Sequence, residues 1–214
     1  MSTVDNTQLK ERLGAARIVA ILRGTDVDAT VAAARTLIGA GVLTLEIALT
    51  LQDAEEAIAQ VVQDAPPEVL VGAGTVLDQD DVERAASAGA QFMVTPTLSA
   101  SVAYAIDQGI GVLAGVYTPT EIQRGHDLGS AAVKLFPASA LGPGFIRAVR
   151  DPLPDARIIP VGGVGVDMVG DYLAAGAFGI GVGGPLVGDA ATHGGDLAAL
   201  AVRATSFVQA LDAD

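Results

Sequence analysis

The sequence predicts a compact (β/α)8 barrel of the TIM type, preceded by an N-terminal helix, and three observations carry that prediction. Short apolar, β-branched runs alternate with longer alanine-rich stretches along the 214 residues. Glycine recurs just past the alanine-rich stretches, at Gly41, Gly89, Gly109, Gly129 and Gly176, spaced by about 20 residues or about twice a slightly longer unit, which implies about eight strand–helix units. Proline-rich breaks, DAPPE at Asp64–Glu68 and DPLPD at Asp151–Asp155, fall inside the two double gaps. An open doubly wound sheet is disfavoured, because Gly72-Ala73-Gly74 lacks the third glycine of a dinucleotide-binding turn. Without a linker or low-complexity segment, residues 1–214 read as a single barrel domain.

Taken in order, the strands are predicted at Arg17–Leu22, Val42–Leu49, Val69–Val71, Gln91–Val94, Gly111–Gly115, Ala131–Phe136, Arg157–Val161 and Phe178–Val182. Each is a short run dominated by apolar and β-branched residues. Helices are predicted at Asp26–Leu37, Asp53–Gln63, Asp80–Ala88, Ser99–Asp107 and Pro119–Leu128, and a last one at Asp196–Leu211. Glycine after a helix supplies the left-handed turn into the next strand. Leu13 and its neighbours are expected to form a helix that plugs the bottom of the barrel.

Composition narrows the function. The net charge is −13, which argues against nucleic acid and acidic membranes as partners. There is no cysteine, hence no disulfide framework and no thiolate chemistry. Two histidines, His126 and His193, are too few for a histidine-rich metal site, and no metal is expected. No apolar run is long enough to span a membrane, and the N-terminus lacks the pattern of a secretion signal. A soluble, cytoplasmic protein is the expectation.

Barrel active sites gather where strands end. Those ends hold Arg23, Glu46 with Thr50, Thr75, Pro96, Thr118, Lys134 with Phe136, Gly162-Gly163 and Gly183-Gly184. Lys134 is the anomaly. The chain has two lysines; Lys10 lies in a polar segment, but Lys134 stands between Val133 and Leu135. Strand alternation puts Lys134 on the side of Ala132 and Phe136, facing the barrel interior. Burial favours the neutral, nucleophilic amine of a lysine. A structural ion pair, or an ammonium reaching the rim, fits the same pattern; arginine everywhere else except Lys10 favours the reactive amine. Glu46 stands between Leu45 and Ile47, and a carboxylate there suits a proton shuttle for an attacking lysine or a plain ion pair. The two glycine pairs, in PVGGVGVD and GVGGPLVGD, suit an anion cradle in the two loops where barrels often bind phosphate.

These segments resemble the 2-keto-3-deoxy-6-phosphogluconate and 2-keto-3-deoxy-6-phosphogalactonate aldolases, a class I family that includes 4-hydroxy-2-oxoglutarate aldolases. The matching stretches, in the family's order, are IVAILRG, LEIALT, VGAGTVL, FMVTPTLS, GVYTPTE, VKLFPASALGPGFIRAV, PVGGV and GIGVGG. The resemblance implies a Schiff base on Lys134 and acid–base work by Glu46. Arg23 and Thr75 would hold the substrate carboxylate, and Pro96 and Phe136 would wall the pocket. Gly162, Gly163, Gly183 and Gly184 would hold phosphate. It further implies pyruvate as a product, a cytoplasmic homotrimer, and no cofactor. Three positions depart from the family pattern. Thr50 replaces an arginine common in gluconate-type members, which leaves the carboxylate to Arg23. Val161 replaces a threonine, which resembles the galactonate-type branch. Gly184 replaces a serine, removing one phosphate ligand and keeping 4-hydroxy-2-oxoglutarate and unphosphorylated 2-keto-3-deoxy acids as alternative substrates. A sugar-phosphate epimerase or isomerase and a non-catalytic binding barrel are the rival classes.

Overall fold

The computed structural model describes residues 3–212. A helix, α1 (Asn6–Ala16), leads into eight strands: β1 (Ile18–Leu22), β2 (Thr44–Ala48), β3 (Leu70–Gly74), β4 (Phe92–Val94), β5 (Gly111–Val116), β6 (Ala132–Leu135), β7 (Ile158–Pro160) and β8 (Ile180–Val182). All pair in parallel, in the order β7-β6-β5-β4-β3-β2-β1-β8. An isolated bridge between Val161 and Gly181 joins the two ends of that order, and Phe178 N donates to Ile158 O at 2.8 Å across the same seam, so the barrel closes there by sparse pairing. The connections are α2 (Val27–Gly39), α3 (Ala54–Asp64), α4 (Gln79–Ser87), α5 (Ala100–Asp107), α6 (Pro119–Asp127), α7 (Gly142–Arg150) and α8 (Val169–Ala174), and β8 is followed by α9 (Gly184–Val187) and α10 (Leu197–Asp212).

Local chemistry sets these boundaries. Asp26 and Asp78 cap α2 and α4 by accepting from Ala29 N and Asp81 N. Thr118 and Glu121 form a reciprocal capping box on α6, with Pro119 in its first turn. Thr118 therefore works as a helix cap rather than in the strand-end chemistry. The predicted start of β1 at Arg17 moves one residue on, because Arg17 closes α1 in a left-handed conformation, φ 54°. Helices α7 and α8 fill the two places in the repeat for which the sequence pattern sets no bounds.

Two apolar layers hold the barrel. Leu45, Ile47, Val133 and Leu135 point outward into the cluster beneath the helices, while Ala132, Val19, Ile21, Leu70, Phe92 and Leu113 point inward. The inner layer is finished from below by α1, whose Leu9 and Leu13 are fully buried in it. Glycine makes room for that plug: a Cβ on Gly111 would stand 2.9 Å from Leu9 Cδ2. Asn6 ties the helix in place, its Oδ1 accepting from Val112 N at 2.8 Å and Ala131 N at 2.9 Å.

Candidate active site

The end of β6 carries Lys134 into the barrel mouth. Its side chain is 8% exposed and that of Glu46, on β2, is 1% exposed. Lys134 Nζ donates to Glu46 Oε1 at 3.2 Å across the barrel, joining residues 88 apart in sequence. No other ion pair with both side chains this deeply buried occurs among the described residues. An ammonium beside a carboxylate at this distance can pass its proton directly, leaving an amine with a free lone pair. The Phe136 ring lies 6.0 Å from Nζ, at the outer limit of a cation–π contact.

Arg23, at the end of β1, turns across the mouth towards β2 and β3. Its Nη1 donates to Thr50 Oγ1 at 3.0 Å and its Nη2 to Thr75 Oγ1 at 3.2 Å. Thr50 therefore stands behind the guanidinium and aims it. Thr75 has φ 61°, a conformation costly for a β-branched residue. That strain is kept where it points a hydroxyl at Arg23.

Pro96 is seated over β5. A Cβ on Gly115 would fall 2.1 Å from the carbonyl carbon of Pro96, so only glycine admits this approach. Buried Thr95 locks the turn, accepting from Gly115 N at 3.1 Å and donating to Thr97 O at 2.7 Å. Thr95 was not singled out from the sequence; the TPT that follows β4 was its only signal.

The two glycine turns adjoin at the β7–β8 seam. Gly162 and Gly163 have φ of 95° and 77°, which side chains rarely adopt. The segment after Lys134 is fastened to this turn: Ala138 N donates to Val161 O at 2.8 Å and Ser139 N to Gly162 O at 3.0 Å. The expected helices behind the turns differ in weight. After β7 a 3-10 turn, Val166–Met168, precedes α8, and after β8 the helix is the single turn of α9. With so short a helix the dipole contributes little, so an anion held here would depend on individual backbone N–H groups of these turns.

These parts enclose one cavity of about 400 Å³, lined by Ile21, Arg23, Thr75, Pro96, Lys134, Phe136, Val161, Gly162, Gly163, Gly183, Gly184 and Pro185. Its size suits a small metabolite. Glu46 and Thr50 stand outside the lining, each reaching it through a hydrogen bond to Lys134 or Arg23. Ile21 and Pro185 join the wall without having been singled out; Ile21 was concealed in an apolar strand like any core residue. The lining polar groups are one lysine, one arginine, one hydroxyl and backbone. Among the described residues no group of three or more His, Asp or Glu side chains lies together as a metal site would need. His126 lies far from this chemistry, at the foot of β7, where its Nε2 accepts from Arg157 N at 3.1 Å.

The model of the family described as KDPG and KHG aldolase matches residues 9–202. The chain is 39% identical over 171 residues to a probable 2-dehydro-3-deoxy-6-phosphogalactonate aldolase of Rhizobium meliloti (strain 1021), covering 79% of this chain and 81% of that one. It is 35% identical over 195 residues to the 2-dehydro-3-deoxy-6-phosphogalactonate aldolase of Escherichia coli (strain K12), covering 90% and 93%. The solved structure called native KDPGal superposes with a TM-score of 0.85 at 33% identity, covering 92% of this chain and 94% of that one.

Proposed function

We propose a function for this chain from one premise: it belongs to the KDPG and KHG aldolase family. It is an aldolase that cleaves 2-keto-3-deoxy-6-phospho sugar acids to pyruvate and glyceraldehyde 3-phosphate, through a Schiff base on Lys134. The observation that carries the assignment of roles is the buried Lys134–Glu46 pair, 3.2 Å apart at the floor of a cavity whose rim holds one arginine and two glycine turns.

On this reading the steps follow from the residues at the site. The substrate carboxylate pairs with the guanidinium of Arg23, held by Thr50 and Thr75, which sets the C2 ketone over Lys134 Nζ. The amine attacks C2, and Glu46 moves the protons that let the carbinolamine lose water. The resulting iminium is the electron sink. Glu46, directly or through one water, takes the proton of the C4 hydroxyl; the C3–C4 bond breaks and its electrons flow into the iminium to give an enamine. Glyceraldehyde 3-phosphate leaves from the glycine cradle at the β7–β8 seam. Protonation of the enamine at C3 and hydrolysis return pyruvate and free Lys134. Both C4 epimers are accepted, because Val161 offers no hydroxyl to read the stereocentre. One observation favours 4-hydroxy-2-oxoglutarate as a second substrate of the same chemistry: Gly184 offers no side chain to a phosphate. The reading includes a cytoplasmic homotrimer, as the family resemblance implies.

The test is a covalent trap. Pyruvate with borohydride should add one reduced pyruvyl group, located by peptide mass at Lys134, and Lys134→Arg should abolish both adduct and turnover while the protein stays folded. An adduct at Lys10, or none, sinks the mechanism and favours an epimerase or a binding barrel.

A further inference from the structure

Beside the Lys134–Glu46 pair, the carboxyl group of Glu46 occupies the place a side chain of Gly74 would take. A Cβ on Gly74 would fall 2.0 Å from Glu46 Oε1 and 2.5 Å from its Cδ and Cγ. Oε1 is the oxygen that accepts from Lys134 Nζ. Gly74 ends β3, paired with Ala48 of β2, and so stands one inward position above Gly72, the partner of Glu46. Its backbone is outside the left-handed region, so conformational freedom does not account for glycine here. The missing side chain does. Glu46 is 1% exposed and cannot swing into water to avoid a new methyl group.

Resting on the reading of Glu46 as the acid–base, we propose that Gly74 is a positioning residue for the reaction: its empty side-chain position is the slot that holds Glu46 Oε1 against Lys134. The other inward glycine of the strand is explained differently, since a Cβ on Gly72 would meet the Phe92 ring at 2.6 Å, which is ordinary core packing. Gly74 is the one whose space is taken by a reacting group. A catalytic group moved by about 1 Å loses on the order of 100-fold in rate. The adjoining Thr75 aims Arg23, so two consecutive residues place the carboxyl shuttle and the carboxylate anchor.

The experiment is a double-mutant cycle of Gly74→Ala and Glu46→Ala, read by kcat, by borohydride trapping with pyruvate, and by melting temperature. Gly74→Ala alone should lower kcat by about 100-fold or more, with a much smaller change in KM. In the Glu46→Ala background the same change should cost nothing further in kcat or melting temperature, because the colliding carboxyl group is gone. A general structural role would lower the melting temperature equally in both backgrounds, and that result overturns the proposal. So does a kcat for Gly74→Ala within twofold of the parent. Should Gly74→Ala fail to fold, recovery of folding in the double variant supports the slot, and failure of both overturns it. Should Glu46→Ala turn over like the parent, the acid–base assignment fails on its own, while the melting-temperature cycle still decides whether Gly74 makes room for Glu46.

Discussion

Replacing Arg23 by glutamine separates the two anionic ends of the substrate. The guanidinium is solvent-facing and spends one N–H on Thr50 at 3.0 Å and one on Thr75 at 3.2 Å. Arg23 also lines the cavity, where its further donors can take a carboxylate. A hydrogen bond to a charged group is worth about 1.5–3 kcal/mol; exposure places this one in the lower half, about 1.5–2 kcal/mol, or roughly 10–30-fold. The contact is the same before and during bond cleavage, so the loss belongs in KM with kcat little changed. The assay compares three reactions of the variant: cleavage of the phosphorylated substrate, cleavage of 4-hydroxy-2-oxoglutarate, and the pyruvate dependence of borohydride inactivation. All three share the 2-keto carboxylate, so all three should weaken by a similar factor. Thr50→Val, which leaves Arg23 unsupported on one side, should cost roughly three- to tenfold in the same parameter. A loss confined to the phosphorylated substrate would assign Arg23 to the phosphate and refute the reasoning, as would a loss below twofold throughout.

Glu46→Gln keeps the size of the side chain and removes the shuttle, so turnover should fall by about 10²–10⁴ while pyruvate still binds; near-parental rates would hand the proton transfer to water or another group. With no hydroxyl at Val161, the gluconate and galactonate epimers should be cleaved with kcat/KM values within about two decades, since one neutral hydrogen bond is worth roughly three- to tenfold; preference beyond about a thousandfold for the gluconate epimer would contradict it. Gly184→Ser enters open space, with no atom within 4 Å of the new Cβ, and should lower KM for the phosphorylated substrate by roughly three- to tenfold without helping 4-hydroxy-2-oxoglutarate. Burial first, and then the Arg157 guanidinium against the weaker pull of Asp127, hold His126 below the usual histidine range. Its folded pKa is thus below the unfolded value of about 6.5, so its contribution to stability is full above that pH and lost as pH falls through the folded value. The melting temperature of His126→Gln should therefore vary less than the parent's between about pH 7.5 and about pH 5.

How much of this could be read from the sequence follows from what kind of signal each residue leaves. Eight strands, their order and the inward face of β6 follow from periodicity, which is a local property. Lys134 and Glu46 stand out because a charge inside an apolar run is costly to keep. That they meet at 3.2 Å is a matter of barrel register, and no local pattern reports it. Thr50 marked a missing charge, yet its hydrogen bond to Arg23 depends on where a side chain from another strand turns. Thr75 at φ 61° leaves no trace in composition at all, since threonine is an unlikely occupant of that region. Ile21 and Pro185 wall the cavity with side chains that any core or turn could use.

The glycines divide into two classes. Those after helices announce themselves through spacing, and their positive φ bears this out at Gly41, Gly89, Gly109, Gly129 and Gly176. Those inside strands leave no such signal: the third strand is predicted to end at Val71, while β3 runs on through Gly72 and Gly74. Yet at Gly72, Gly111 and Gly115 the absent side chain is replaced by Phe92, Leu9 and the Pro96 backbone respectively. A barrel this small has little interior to divide, and each inward glycine hands its share to a neighbour's larger group. Where that neighbour is aromatic or aliphatic, the result is packing. Where it is the carboxyl of Glu46, the same exchange sets a polar group just behind the cavity wall, against Lys134, without opening the barrel to water.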